Sequence, residues 1–111
     1  MKYKRTPFWE VVEKAKWTEH FDYIEGRNKI KKFKDETYIA DFIDLRNELE
    51  EKIDSLGREW YDENIGLGDD GLNDLIANII GHGKETYEDV LQHPEKAKEF
   101  EAIESFLYVF Y

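Results

Sequence analysis

Residues 35–61 read DETYIADFIDLRNELEEKIDSLGREWY, and this stretch decides the fold. Within it Phe42, Leu45, Leu49, Ile53, Leu56 and Trp60 recur at steps of three, four, four, three and four, and Tyr38 and Ile39 add a turn before them. Alternating steps of three and four keep successive side chains on one side of a 3.6-residue helix. The spacing predicts one long, central amphipathic helix, loosened near Gly57 and buried along one stripe. It also fits a coiled-coil seam, but over only about three heptads, so burial within an intramolecular bundle is expected and a homodimer stays open.

Working outward, Thr6-Pro7 reads as a helix start, because a Thr oxygen can accept an orphan backbone N–H and Pro at the first helical position loses no bonded donor. A first helix is expected from residue 7 to about 17, with Phe8, Val11, Val12 and Ala15 inward and Trp9 at the edge. Residues 18–34 lack periodicity and read as a loop, with a turn at Glu25-Gly26-Arg27-Asn28. In it Arg27, Lys29, Lys31, Lys32 and Lys34 alternate with Ile30 and Phe33. That cluster suits either a contact surface for anions or neutralisation of the protein's own acidic part, and the second reading is the expected one.

Toward the carboxyl end, residues 64–68 make a turn and Asp69-Asp70-Gly71 opens a helix with a side-chain oxygen positioned to cap it. Leu72, Leu75, Ile76, Ile79 and Ile80 form its buried face, and Gly81 and Gly83 suit its end. Thr86 and Asp89 resemble a capping box for a short helix over residues 87–92. Pro94 then starts a last helix to about residue 110, lined inside by Ala97, Phe100, Ile103, Phe106, Leu107 and Phe110. The expected architecture is all-α, a single helical domain over residues 1–111 with four or five helices.

At 111 residues one core must serve every element. Apolar residues make up 41% and aromatic residues 15%, enough to outweigh chain entropy despite 38% charge. The absence of cysteine removes disulfides, thiolate catalysis and Cys-ligated zinc. Lys2, Lys4 and Arg5 are followed by Pro7, Glu10 and Glu13, which interrupt any signal-peptide apolar run. The longest apolar candidate, residues 72–80, contains Asn73, Asp74 and Asn78 and is far short of the roughly 20 residues a membrane span requires. A cytoplasmic setting, with no membrane partner, is therefore expected.

The net charge of −10 is polarised along the chain. Residues 1–34 hold ten Lys/Arg and five Asp/Glu, 10 − 5 = +5, whereas residues 35–111 hold six and 21, 6 − 21 = −15. An acidic surface of that density repels nucleic-acid phosphate and attracts basic partners, besides keeping the chain soluble.

Taken in order, Phe8-Trp9-Glu10, Trp60, Gly66, Gly68-Asp69-Asp70-Gly71-Leu72, Ile80-Gly81, Gly83, Tyr87, Leu91, His93-Pro94 and Glu104-Ser105-Phe106-Leu107-Tyr108-Val109 resemble a bacterial family of unknown function with a Ser-Asp-Asp-Gly-Phe type helix-opening motif. Here Gly68 stands for the Ser, Leu72 for the aromatic, Lys84 for an Arg and His93 for an Asp of that pattern. The resemblance implies a helical fold and an intracellular bacterial or phage setting, and no activity.

Asp69-Asp70 is the most conspicuous candidate for chemistry. Adjacent carboxylates can bind a divalent metal or shift one another's pKa, but an Asp before Gly at a helix start is also what capping and the helix dipole favour, and capping is the expected role. His82, between two glycines, joins that pair only if the chain folds back. Gly66-x-Gly68-x-x-Gly71 matches a dinucleotide fingerprint by letter, without the strand that must precede it. On the long helix Asp41, Asp44, Glu48 and Glu51 form a carboxylate row at three- and four-residue steps, roughly 5 to 6 Å apart, a spacing that permits DNA mimicry. No catalytic residue, metal ligand or cofactor is assigned.

The functional expectation is an intracellular acidic protein-interaction module, an inhibitor or an immunity or anti-defence type partner of a basic protein, using the acidic helix and exposed Tyr61, Tyr108 and Tyr111. The alternatives are a small metal-dependent enzyme or ligand-binding domain centred on Asp69, Asp70 and His82, and a DNA-mimic inhibitor. Direct nucleic-acid binding is disfavoured at this net charge.

Overall fold

In the computed structural model, which describes residues 6–111, the stripe of Phe8, Val11, Val12 and Ala15 is buried along one side of α1 (Phe8–Ala15). Lys2, Lys4 and Arg5 lie outside the described residues. The start and end of α1 differ from expectation. Pro7, not Thr6, takes the capping position and no side chain caps the helix, while Lys16 adopts left-handed backbone (φ 52°) and stops it before Trp17. A four-residue helix, α2 (Trp17–His20), follows and ends at a second left-handed residue, Phe21.

The expected loop over residues 18–34 is thus helical in large part. The side chain of Asp22 accepts the Ile24 N–H and starts α3 (Tyr23–Lys29), after which residues Lys31–Phe33 make a 3₁₀ turn. Gly26 lies inside α3, not in a turn. A Cβ there would fall 2.9 Å from Val109 Cγ2, so the glycine permits a close approach. Because α3 is short and polar outside this contact, its periodicity is hidden in the sequence.

The long helix is α4 (Glu36–Asp54), capped by Asp35 through the Thr37 N–H. Ser55 then turns its hydroxyl onto the Lys52 carbonyl, and Gly57 (φ 96°) breaks the chain before α5 (Arg58–Asn64). Phe42, Leu49 and Ile53 of the predicted seam are fully buried, so the seam is used within the chain. Tyr61 is half-buried, its hydroxyl donating to the Leu67 carbonyl at 2.6 Å.

α6 (Asp69–Gly81) is the innermost helix, in place of the expected α4. Besides the five predicted residues it buries Ala77, Asn78 and Gly81, and it packs against α4, α7 and both carboxyl-terminal 3₁₀ turns. Its residues 75–81 are all buried, so this half of the helix runs through the middle of the core. α7 (Lys84–Gln92) begins directly after Gly83 (φ 109°), three residues earlier than expected and without a capping box.

The last predicted helix does not form. Residues Pro94–Glu99 make a 3₁₀ turn, the chain extends at Phe100, and residues Phe106–Phe110 make another 3₁₀ turn capped by Ser105. Its apolar residues still reach the core: Ala97, Phe106, Val109 and Phe110 are buried, and Phe100, Ile103 and Leu107 pack against them. The extended segment is held from inside by Asn78, whose Nδ2 donates to the Glu101 carbonyl at 3.1 Å while its Oδ1 accepts the Trp17 indole N–H at 2.7 Å. The described residues thus form seven α-helices and three 3₁₀ turns around one core, with no strand.

Candidate functional site

The carboxylate row divides between two environments. Asp44 and Glu51 face water from α4 with no hydrogen-bond or ion-pair partner among the described residues, and Asp41 is half-buried. Glu48 is engaged: the Tyr87 hydroxyl shares its one proton between Glu48 Oε1 at 2.8 Å and the Leu45 carbonyl at 2.7 Å. Burial, then that hydrogen bond and the Glu48 charge, push the Tyr87 pKa well above its ordinary value. Of the two cations on α4, Arg46 is taken up by Glu50 at 3.0 Å and by the side chains of Asn47 and Asn73.

Beside Asp41 and Asp44 lies a shallow groove of about 290 Å³, floored by Phe8, Trp9 and Leu45. Trp9 is stacked on Phe8 at 5.2 Å and tilted against Tyr87 at 5.4 Å. The groove therefore pairs ordered aromatic surface with carboxylates on one rim. That combination has the chemistry to suit an aliphatic stem ending in a cation, since such a stem covers apolar surface while its charge meets aromatic and carboxylate groups.

Asp69 and Asp70 occupy the first two helical positions of α6, and the capping position is Gly68, without a side-chain cap bond. They act on the helix through charge near its positive end, not through the capping hydrogen bond expected of them. Asp69 borders a cleft of about 430 Å³ with Glu50, Asp54, Arg58 and Tyr61. Burial first, then the charges of Asp54, Asp69 and Asp62, raises the Tyr61 pKa, with Arg58 opposing.

His82 stands at the other end of α6, roughly 20 Å away at 1.5 Å per residue. Its Nδ1 lies 2.7 Å from the Asn78 carbonyl oxygen and its ring packs edge-on against Phe100 at 5.3 Å. The structure does not bring the Asp69-Asp70 pair and His82 together, and among the described residues no group of three or more His, Asp or Glu is arranged to hold a metal ion. No helix of the described residues is long and apolar enough to cross a membrane.

The basic cluster is not neutralised by the acidic part, contrary to expectation. Among the described residues Arg27, Lys29, Lys31, Lys32 and Lys34 form no ion pair with a carboxylate. Arg27 instead lies over the Tyr23 ring at 5.4 Å, and Lys32 over Phe33 at 5.1 Å. Tyr108 and Tyr111 are exposed and lie 5.9 Å apart.

Sequence reasoning misses that Trp9 lines the groove and that Tyr87 packs against it. Helical spacing places Trp9 only at an edge, and nothing in the local pattern brings position 87 to position 48.

The family described as "Protein of unknown function (DUF4240)" matches residues 3–110, nearly the whole chain. Neither the curated proteins nor the solved structures contain a match. The family-level resemblance read from the sequence thus agrees with a family of unknown function, and the match does not single out the Asp69-Asp70-Gly71 motif.

Proposed function

We propose that this chain, which belongs to the DUF4240 family of unknown function, works by binding a basic protein partner, with recognition centred on the groove between α1 and α4. The observation that carries this reading is the pairing of an ordered aromatic floor, Phe8 and Trp9, with Asp44 on its rim, a carboxylate without a cation among the described residues. A Lys or Arg side chain of the partner lays its stem on Trp9 and Leu45 and sets its charge against Asp44, with Glu51 extending the field along the helix. The role is that of an inhibitor or immunity-type partner acting inside the cell, and DNA mimicry is the special case in which the basic partner is a nucleic-acid enzyme.

The test is affinity capture with mass spectrometry, comparing the wild type with Asp44→Lys/Glu51→Lys and Trp9→Ala at low and moderate salt. The Asp44 and Glu51 side chains are exposed and make no hydrogen bond or ion pair among the described residues, so the double variant should keep its melting temperature while losing a basic partner. A partner retained by both variants, or an acidic one, would sink the proposal. Inhibition of a nucleic-acid enzyme that survives the charge reversal would remove DNA mimicry alone.

The cleft of Glu50, Asp54, Asp69, Arg58 and Tyr61 supports a second reading as a ligand-binding or metal-dependent site. Calorimetric heat with magnesium, manganese, calcium or zinc that disappears in Asp69→Asn would favour it; silence with all four would remove its support.

A further inference from the structure

The carboxyl end of α1 and the carboxyl half of α3 face each other across an open cleft of about 540 Å³, lined by Lys14, Lys16, Glu25, Asn28, Lys29 and Lys32. Four lysines and one glutamate thus border a space within the range of small-molecule sites, about 300–1,000 Å³. The left-handed backbone at Lys16 ends α1 there, and this lysine pairs with Glu19 at 3.6 Å across an exposed contact. Lys14, Lys29 and Lys32 form no ion pair with a carboxylate among the described residues.

Two of these like charges lie against the same aromatic ring. Lys14 Nζ lies 5.9 Å and Lys32 Nζ 5.1 Å from the centroid of Phe33, so one π-system attracts ammonium groups from two elements. Such cation–π attraction offsets part of the repulsion among the lysines. The arrangement gathers positive charge in a protein whose net charge is −10, and its own carboxylates leave most of that charge unanswered.

We propose that this cleft binds a compact polyphosphorylated small molecule, with Lys14, Lys16, Lys29 and Lys32 on the phosphates and the Asn28 amide as a neutral donor. Compactness follows from the charge map. A ligand confined to the cleft meets the lysines, whereas a nucleic-acid strand running beyond it by more than the screening length, about 8 Å at physiological ionic strength, meets the rest of a chain carrying −15 over residues 35–111 (6 − 21).

Isothermal titration of the full chain with inorganic tripolyphosphate at 50 and 150 mM NaCl tests the assignment, with ATP as a second ligand and a single-stranded oligonucleotide as a third. The expected result is saturable one-to-one binding of tripolyphosphate, weakened at least tenfold in Lys14→Gln/Lys29→Gln and unchanged in the control Lys52→Gln. All three lysines are exposed, so circular dichroism should match the wild type. ATP binding tighter than tripolyphosphate identifies a nucleotide as the source of the phosphates, and equal or weaker ATP binding identifies the phosphate chain itself. No heat at 50 mM NaCl, equal binding by the double variant, or tighter binding of the oligonucleotide overturns the proposal.

Discussion

The indole of Trp17 lies flat against Gly81, at the point where α2 meets the end of α6: a Cβ built on Gly81 would overlap Trp17 Cδ1 and Cγ. The ring cannot retreat, because its Nε1–H is bonded to Asn78 and its far edge packs against Phe106 at 5.3 Å. Gly81→Ala should therefore cost about 2–3 kcal/mol, at the upper end for overpacking, and lower Tm by roughly 10 °C. Urea and thermal unfolding of the variant check this; a loss under about 0.5 kcal/mol would show that the indole is free to move.

Asn78 joins the indole of Trp17 to the Glu101 carbonyl through one side chain. Asn78→Ala leaves a buried N–H without its acceptor, and a loss of about 2 kcal/mol is expected. The extended chain around Glu101 should also open more often, so trypsin should cut after Lys98 faster in the variant than in the wild type.

Tyr87→Phe removes the hydroxyl that bridges α7 to Leu45 and Glu48 and should destabilise by about 1 kcal/mol near pH 7. The Tyr87 pKa is raised above 10.0 in the fold, so the stability tied to its neutral form is complete below pH 10 and is lost as pH rises beyond. Denaturation followed from pH 8 to 11 should show the wild type falling toward the Tyr87→Phe curve.

Asp74 lies one turn after Asp70 on α6, and burial first, then the charges of Asp70 and Glu104, raises its pKa. A carboxyl with a raised folded pKa favours the fold while protonated and loses that contribution as pH climbs through the folded value. Asp74→Asn should thus stabilise the protein at pH 7 by about 0.2–0.5 kcal/mol, the scale of a like-charge pair four residues apart. The gain should vanish by about pH 3.5, where wild-type Asp74 carries its proton. A variant less stable than wild type at pH 7 would contradict the assignment.

The sequence disclosed the apolar stripes of α1, α4 and α6 because each repeats on one face for at least two turns. It hid α3, whose seven residues contain Gly26 and whose partner, Val109, lies far along the chain. It also made residues 94–110 look helical, since apolar residues at three- and four-residue steps serve 3₁₀ turns and extended chain equally well when each is held by a tertiary bond such as that from Asn78. For the candidate groove, the carboxylates of α4 were legible as a row. Its aromatic floor was not, because local pattern does not report which ring from α1 settles against which acid. That the basic cluster would lack ion pairs was not legible for a related reason: net charge says how many partners exist and nothing about whether they come within reach.

The most extensive packing between elements joins α3 to the 3₁₀ turn Phe106–Phe110. On a ribosome, residues 23–29 emerge before residues 106–110 are made, so α3 can meet α1 and α2 at once but must wait for the turn it packs against most. That last docking joins the two ends of the described chain across about eighty residues, and its loop is among the costliest in this fold to close.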